Sequence, residues 1–188
     1  KNIKNFDIVL CVDYSHGLLD EEIANVLVNN SKFIAINSQL NSSNIGYHTL
    51  NKFKKADLLL VNEDELRNET RQKNLNINEL LENFVNKNKF DSVLLTRGKN
   101  GVLLKNKKSK IIYDFPALTN FVVDKVGTGD SMLPIATLSK FYDVKDELTL
   151  LLSSIVAFNA VHTLGTEKKI SKINILRNIE YFLKWKII

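Results

Sequence analysis

In the last third of the chain, Asp124-Lys125-Val126-Gly127-Thr128-Gly129-Asp130 leads from a β-rich stretch straight into a helical pattern. Two glycines one residue apart let the backbone turn sharply and aim several N–H groups at one spot, and the helix that follows adds the positive end of its dipole. Such a place holds an anion. Asp130 then sets a carboxylate beside it, which would repel a ligand that was merely held. The chemistry that needs both together is proton abstraction from a hydroxyl attacking phosphorus. Taken alone the run is weak evidence, because glycines punctuate many turns and the dipole favours an Asp in any first helical turn.

Two upstream motifs add to it. Asn62-Glu63-Asp64-Glu65 follows the apolar run Leu58 to Val61, and Thr96-Arg97-Gly98-Lys99-Asn100-Gly101 follows Val93 to Leu95. In order and spacing, the three motifs resemble the ribokinase or PfkB family of carbohydrate kinases. The resemblance covers nearly the whole chain but only the later part of that family's domain. Residues 1–188 therefore read as the C-terminal, nucleotide-binding part of a single PfkB-type kinase domain, and the chain as a piece of a longer polypeptide. The segment from Asn37-Ser38-Gln39 to Gly46-Tyr47, with Asp13-Tyr14-Ser15-His16-Gly17 before it and Glu63-Asp64-Glu65-Leu66-Arg67 after it, looks most like the heptose-7-phosphate kinase branch. Members of that branch are often joined to a nucleotidyltransferase domain.

The resemblance implies a ribokinase-like three-layer α/β/α fold with a mostly parallel sheet. It also implies ATP-dependent phosphoryl transfer, with Mg²⁺, to a sugar or sugar-phosphate hydroxyl. Asp130 matches the family's general base, and the N–H groups of Gly127, Thr128 and Gly129 match its anion hole. Asn62 and Glu65 match the N-x-x-E motif that organises Mg²⁺ and phosphates, a hard-oxygen arrangement that suits this cation; a helix-start carboxylate is the competing reading of Glu65. Thr96, Gly98 and Gly101 match the T-x-G step that contacts nucleotide, with a plain turn as the competitor for Gly101. Ser154 falls where relatives place a residue at the adenine edge, and Asp13 and Asn37 fall at strand ends expected to face the cleft, as weaker candidates for acceptor or phosphate contacts. The implied partners are the sugar acceptor, the earlier half of the kinase domain, a fused nucleotidyltransferase domain and a second copy in a homodimer. Without that earlier half, residues 1–188 are expected to bind nucleotide weakly and not to turn over.

Three departures from the family pattern stand out. Lys125 and Val126 replace small or hydroxyl residues, which puts a monovalent-cation site in doubt and makes Lys125 a candidate to neutralise phosphate. Ser131 stands where alanine is common. Pro134 removes the helical bond to the carbonyl of Asp130, a loss worth roughly 3 kcal/mol, and a kink is expected there. A non-catalytic nucleotide-binding or scaffold domain of a larger bifunctional sugar-nucleotide synthesis protein is the alternative. A Rossmann dinucleotide protein fares poorly, because no G-x-G-x-x-G follows the first strand.

Composition excludes other classes. With 44% hydrophobic and 25% charged residues among 188, the chain has ordinary globular composition and enough length for one sizeable core. Its net charge of +5 is spread over scattered lysines without aromatic interleaving, so nucleic acid is not an expected partner. A single cysteine, Cys11, allows no internal disulfide and fits the cytoplasm. No apolar run is long enough to span a bilayer, so no membrane partner is expected. His16, His48 and His162 are far apart and have no cysteine partners, which argues against zinc.

The elements that must position these residues can be read from periodicity. Strands are expected at Phe6 to Val12, Phe33 to Asn37, Leu58 to Val61 and Ser92 to Thr96. Helices are expected near Asp20 to Asn29, Ile45 to Lys54, Asp64 to Arg71 and Ile77 to Lys87. This alternation argues a parallel sheet. Gly101 to Lys105 and Lys110 to Phe115 read as an antiparallel extension, and Gly129 to Phe141, Asp146 to Thr163 and Ser171 to Lys184 as three helices, the last packed on the sheet. Ligands of such sheets bind beyond the carboxyl ends of the strands, where all three motifs fall.

Overall fold

The computed structural model describes residues 2–39, 50–119, 127–162 and 171–185. Six strands form one sheet in chain order: β1 (Val9–Asp13), β2 (Ile34–Ser38), β3 (Ala56–Asn62), β4 (Phe90–Thr96), β5 (Val102–Asn106) and β6 (Ile112–Phe115). The first four are parallel, and β5 and β6 extend the sheet antiparallel through the pairs Thr96↔Val102 and Val102↔Phe115. The apolar run Leu58 to Val61 is continuous because β3 is covered on both faces, as parallel strands are.

Helices α1 (Glu21–Asn30), α2 (Glu63–Thr70) and α3 (Ile77–Lys87) cover one face. There Ala24, Val28, Leu66, Leu81 and Val85 close on Cys11, Ile36, Leu59, Val93 and Leu103. Helices α4 (Thr128–Phe141) and α5 (Asp146–Val161) cover the other, where Met132, Leu133, Ala136 and Leu150 meet Ala35, Leu58, Leu60, Leu94 and Leu104. Strand alternation sends neighbouring side chains to opposite faces, so each strand feeds both cores. The result is the three-layer α/β/α arrangement expected from the sequence.

Two elements differ from expectation. Residues 50–54 form a turn rather than the end of a helix. The Phe53 amide donates to the Leu50 carbonyl at 2.9 Å, which seats the Phe53 ring in the core at 2% exposure and turns Lys52 toward β1. Residues 40–49, including the rest of that expected helix and His48, lie outside the described residues. The last helix, α6 (Lys172–Trp185), lies against α5, with Phe158 edge-on to Phe182 and Asn178 donating to Asn159. Its Ile173, Leu176 and Tyr181 remain exposed. Gly165, expected as a helix stop, lies outside the described residues; α5 has already ended at Val161. Through Pro134, α4 runs as one helix.

Cys11 lies at 4% exposure on β1, and burial, followed by the negative charge of Asp13, pushes its thiol up to about 11. At pH 8 only about one thiol in a thousand is ionised at that value, and the thiolate is the reactive form. Folded protein at pH 8 is therefore expected to resist iodoacetamide at Cys11, and urea-unfolded protein to react fully. Rapid labelling of the folded form would show that the thiol is accessible and its burial misread.

Candidate functional site

The N-terminus of α4 sits over the carboxyl half of the sheet. Gly127 precedes the helix with φ +75°, the left-handed conformation that a residue with a side chain adopts only under strain, and nothing lies within 4 Å of where a Cβ would be. The first helical bond runs from the Ser131 amide to the Gly127 carbonyl at 3.0 Å. The amides of the preceding turn are thus the usual orphan donors of a helix start, and among the described residues no side chain caps them. Thr128 Oγ1 is buried there without a hydrogen-bond partner among the described residues. An anion that accepts from these amides and this hydroxyl satisfies all of them.

Gly129 follows for a different reason, which is space. A Cβ at this position would lie 3.3 Å from Asn37 Nδ2 and 3.4 Å from Leu60 Cδ2. Its absence lets the Asn37 side chain pass beneath the helix and reach Asp130.

Asp130, in the first turn of α4, is held by three donors from the ends of the first two strands. Asn37 Nδ2 donates to its Oδ1 at 2.8 Å, and Gln39 Nε2 to the same oxygen at 2.9 Å. The Tyr14 hydroxyl donates to Oδ2 at 2.6 Å. Asn37 and Gln39 are two residues apart and so project to one face of the sheet, the α4 face. Tyr14 immediately follows β1, in a half-exposed bend with Ser15 at φ 56°. The bond from Tyr14 to Asp130, and then the nearby negative charge, raise the Tyr14 phenol above its ordinary value. In a spectrophotometric titration, removing the carboxylate by Asp130→Ala is expected to bring one tyrosine down toward its ordinary value. Tyr14→Phe identifies that tyrosine, and an unchanged titration would show that the pair does not form in solution.

Asp13 stands at the end of β1 on the opposite face from Asp130. By alternation it shares the side of Cys11, at 3% exposure, and its carboxylate is taken up by Lys52 at 2.5 Å, by the Ser15 amide at 2.9 Å and by the Ser15 and Ser38 hydroxyls at 3.4 Å. Lys52 also donates to the Leu19 carbonyl at 2.8 Å. The buried ion pair thereby ties down both ends of the bend that carries Tyr14. Asn37, by contrast, is drawn to Asp130.

Asn62 and Thr96 are register partners at the ends of β3 and β4. Asn62 and Glu65 form a capping box on α2: Asn62 Oδ1 accepts from the Glu65 amide at 2.8 Å and Glu65 Oε2 accepts from the Asn62 amide at 2.7 Å. The helix-start reading of Glu65 therefore describes a real interaction. It also fixes the carboxylate at the mouth of the strands. Among the described residues no group of three or more His, Cys, Asp or Glu gathers as a metal centre. Glu65 supplies one carboxylate, a hard-oxygen donor of the kind that Mg²⁺ takes together with water and substrate phosphates.

Gly98 opens a short turn at φ +54° with open space beyond it. Gly101 is buried, and its surroundings account for it independently of any ligand: a Cβ there would lie 2.1 Å from the Phe115 carbonyl oxygen. Ser154 is buried on α5 with an unpartnered Oγ, as is Ser153 beside it. Lys125 and Val126 lie outside the described residues. Tyr14, Gln39 and Lys52 received no role from the sequence. The Asn37-x-Gln39 spacing was the available signal, because it puts two amides on one face of a strand.

Comparison with known proteins gives a consistent picture. The pfkB family carbohydrate kinase description matches residues 3–139. The bifunctional protein HldE of Campylobacter curvus is 25% identical over 155 residues, which cover 80% of this chain and 32% of that protein. Escherichia coli phosphofructokinase-2, solved with potassium, superposes with a TM-score of 0.76 at 17% identity over 93% of this chain and 56% of its own. Arabidopsis thaliana ribokinase, solved with ribose and ATP, gives 0.75 at 17% identity over 93% and 56%. At these identities the solved structures establish the fold. The chain spans about a third of the curated relative and somewhat over half of the solved ones. Among the described residues no helix is long and apolar enough to cross a membrane.

Proposed function

This chain belongs to the pfkB family of carbohydrate kinases, and from that premise we propose that it carries the nucleotide side and the general base of an ATP-dependent kinase acting on a sugar or sugar-phosphate hydroxyl. The observation that supports this most is the Asp130 carboxylate, held by Asn37, Gln39 and Tyr14 beside an uncapped helix start with a buried, unpartnered threonine hydroxyl. A fixed carboxylate next to an anion hole suits an alcohol attacking a phosphoryl group.

Asp130 takes the proton of the acceptor hydroxyl while that oxygen bonds to the γ-phosphorus of ATP and the bond to the ADP oxygen breaks. The amides of Gly127, Thr128 and Gly129 receive negative charge on the transferring phosphoryl oxygens, and Thr128 Oγ1 adds a donor. ATP would bring the phosphoryl group, and Glu65, with the Asn62 end of β3, would hold a Mg²⁺ whose chemistry is charge neutralisation at the phosphates. Thr96, Gly98, Gly101 and Ser154 belong on the nucleotide side of this scheme. The favoured acceptor is a heptose 7-phosphate, supported by the likeness of the Asn37 to Tyr47 segment to that branch. Match to a bifunctional protein supports a fused second domain.

The test is phosphoryl transfer by the full-length protein from Mg·ATP to heptose 7-phosphate, with fructose 6-phosphate and ribose alongside. Transfer to any of them, lost in Asp130→Asn with ATP still bound, is the expected result. ATP binding without transfer to any sugar favours a scaffold built on a kinase fold.

A further inference from the structure

We infer that Asn37 and Gln39 are positioning residues that decide which oxygen of Asp130 takes the acceptor's proton, reserving Oδ2 for the reaction. The inference rests on the kinase reading above and goes beyond it by assigning separate tasks to the two carboxylate oxygens.

A carboxylate offers about four lone-pair positions, two on each oxygen. In Asp130, Oδ1 accepts from both Asn37 and Gln39, at 2.8 and 2.9 Å, which fills it. Among the described residues, Oδ2 accepts from Tyr14 alone, at 2.6 Å. Counted over the described residues, one position therefore remains, and it is on Oδ2. Tyr14 shows the direction from which an alcohol reaches that oxygen: its hydroxyl arrives from a half-exposed bend, whereas Asn37 is 2% exposed.

A second, independent observation concerns Gly129. Its backbone is not in the left-handed region, so conformation does not demand glycine there. The space does, since a Cβ would press on Asn37 Nδ2 at 3.3 Å. The chain leaves room for this amide to reach the carboxylate. Gln39 is fixed in turn, its backbone amide donating to the Asp13 carbonyl at 2.9 Å, so β1, β2 and α4 converge on one carboxylate. A side chain pinned on one oxygen through two donors cannot rotate freely, and misplacement of a reacting group by about 1 Å can cost 10²-fold in rate.

The discriminating experiment compares isosteres with truncations in the full-length protein, assayed with Mg·ATP and heptose 7-phosphate, fructose 6-phosphate and ribose. Gln39→Glu and Asn37→Asp keep size and shape but turn the donor oxygenward group into an acceptor with like charge. Gln39→Ala and Asn37→Ala remove the donor and leave space. The expected result is a kcat lower by about tenfold in the alanine variants and by about 10²-fold in the isosteres, with the KM for ATP within about twofold of wild type. A space-filling role predicts the reverse order, the isosteres being milder than the alanines, and that order would overturn the inference. Gln39 lies at the less buried position, so Gln39→Glu carries the test if an Asn37 variant fails to fold. Asp130→Asn separates the two levels of argument. If it is inactive while Gln39→Glu keeps wild-type kcat, the positioning role alone falls. If Asp130→Asn retains transfer, or wild type transfers to none of the three sugars, the kinase reading falls and the inference falls with it.

Discussion

Asp130→Asn in the full-length protein is expected to lower phosphoryl transfer by roughly 10³-fold, within the 10²–10⁴ range that a positioned general base supplies. The substitution keeps the shape of the side chain and one oxygen able to accept from Asn37 and Gln39, which hold Oδ1 at 2.8 and 2.9 Å. It removes the group that receives the proton. The anion site proposed above consists of the helix start and Thr128, and neither is altered, so ATP affinity by calorimetry is expected to stay within about twofold. This split between turnover and binding is informative. Loss of both would mean that Asp130 chiefly holds the local structure together. Loss of neither would mean that proton abstraction happens elsewhere.

The second large effect concerns stability rather than chemistry. Gly101→Ala is expected to destabilise the protein by about 3–4 kcal/mol, near the upper end for single substitutions. Two costs combine. Gly101 has φ +81° and ψ −143°, a region that residues with a Cβ avoid. The added carbon would also meet the Phe115 carbonyl oxygen at 2.1 Å and the Ala117 nitrogen and Pro116 carbonyl carbon at 2.8 Å. All three are backbone atoms where the chain leaves β6, so no side-chain rotation relieves the clash. The ladder pair Val102↔Phe115 beside it must open. Gly98→Ala is the control, because Gly98 also has positive φ, +54°, but nothing within 4 Å. It is expected to cost about 1 kcal/mol from conformation alone. Urea unfolding of both variants measures the difference. Equal, small losses would show that the approach of β6 to Gly101 is looser than described.

The Asp13 ion pair turns on geometry that a motif's composition does not carry. A carboxylate at the end of a parallel strand points to a ligand cleft on general grounds. Alternation along β1 sends it to the face of α1–α3, where Lys52 neutralises it. The sequence pattern of β1 is compatible with either face. Which face α4 covers is settled only when the later helices pack, more than a hundred residues downstream.

The sequence by itself determined the layered fold. Four apolar strand runs alternating with amphipathic segments leave few ways to bury both kinds of face, and the parallel sheet of β1 to β4 with its antiparallel extension follows from that local signal. It also determined the turn from a left-handed glycine into a helix start, since Gly127 and the start of α4 are adjacent in the chain and their geometry is local. Tertiary structure alone decided what surrounds Asp130. Tyr14, Asn37 and Gln39 lie 116, 93 and 91 residues away from it in sequence. No periodicity carries information over such separations. Their meeting depends on the register of β1 against β2, on the turn at Phe53 and on the missing side chain of Gly129, each of which is fixed by packing that exists only in the folded chain.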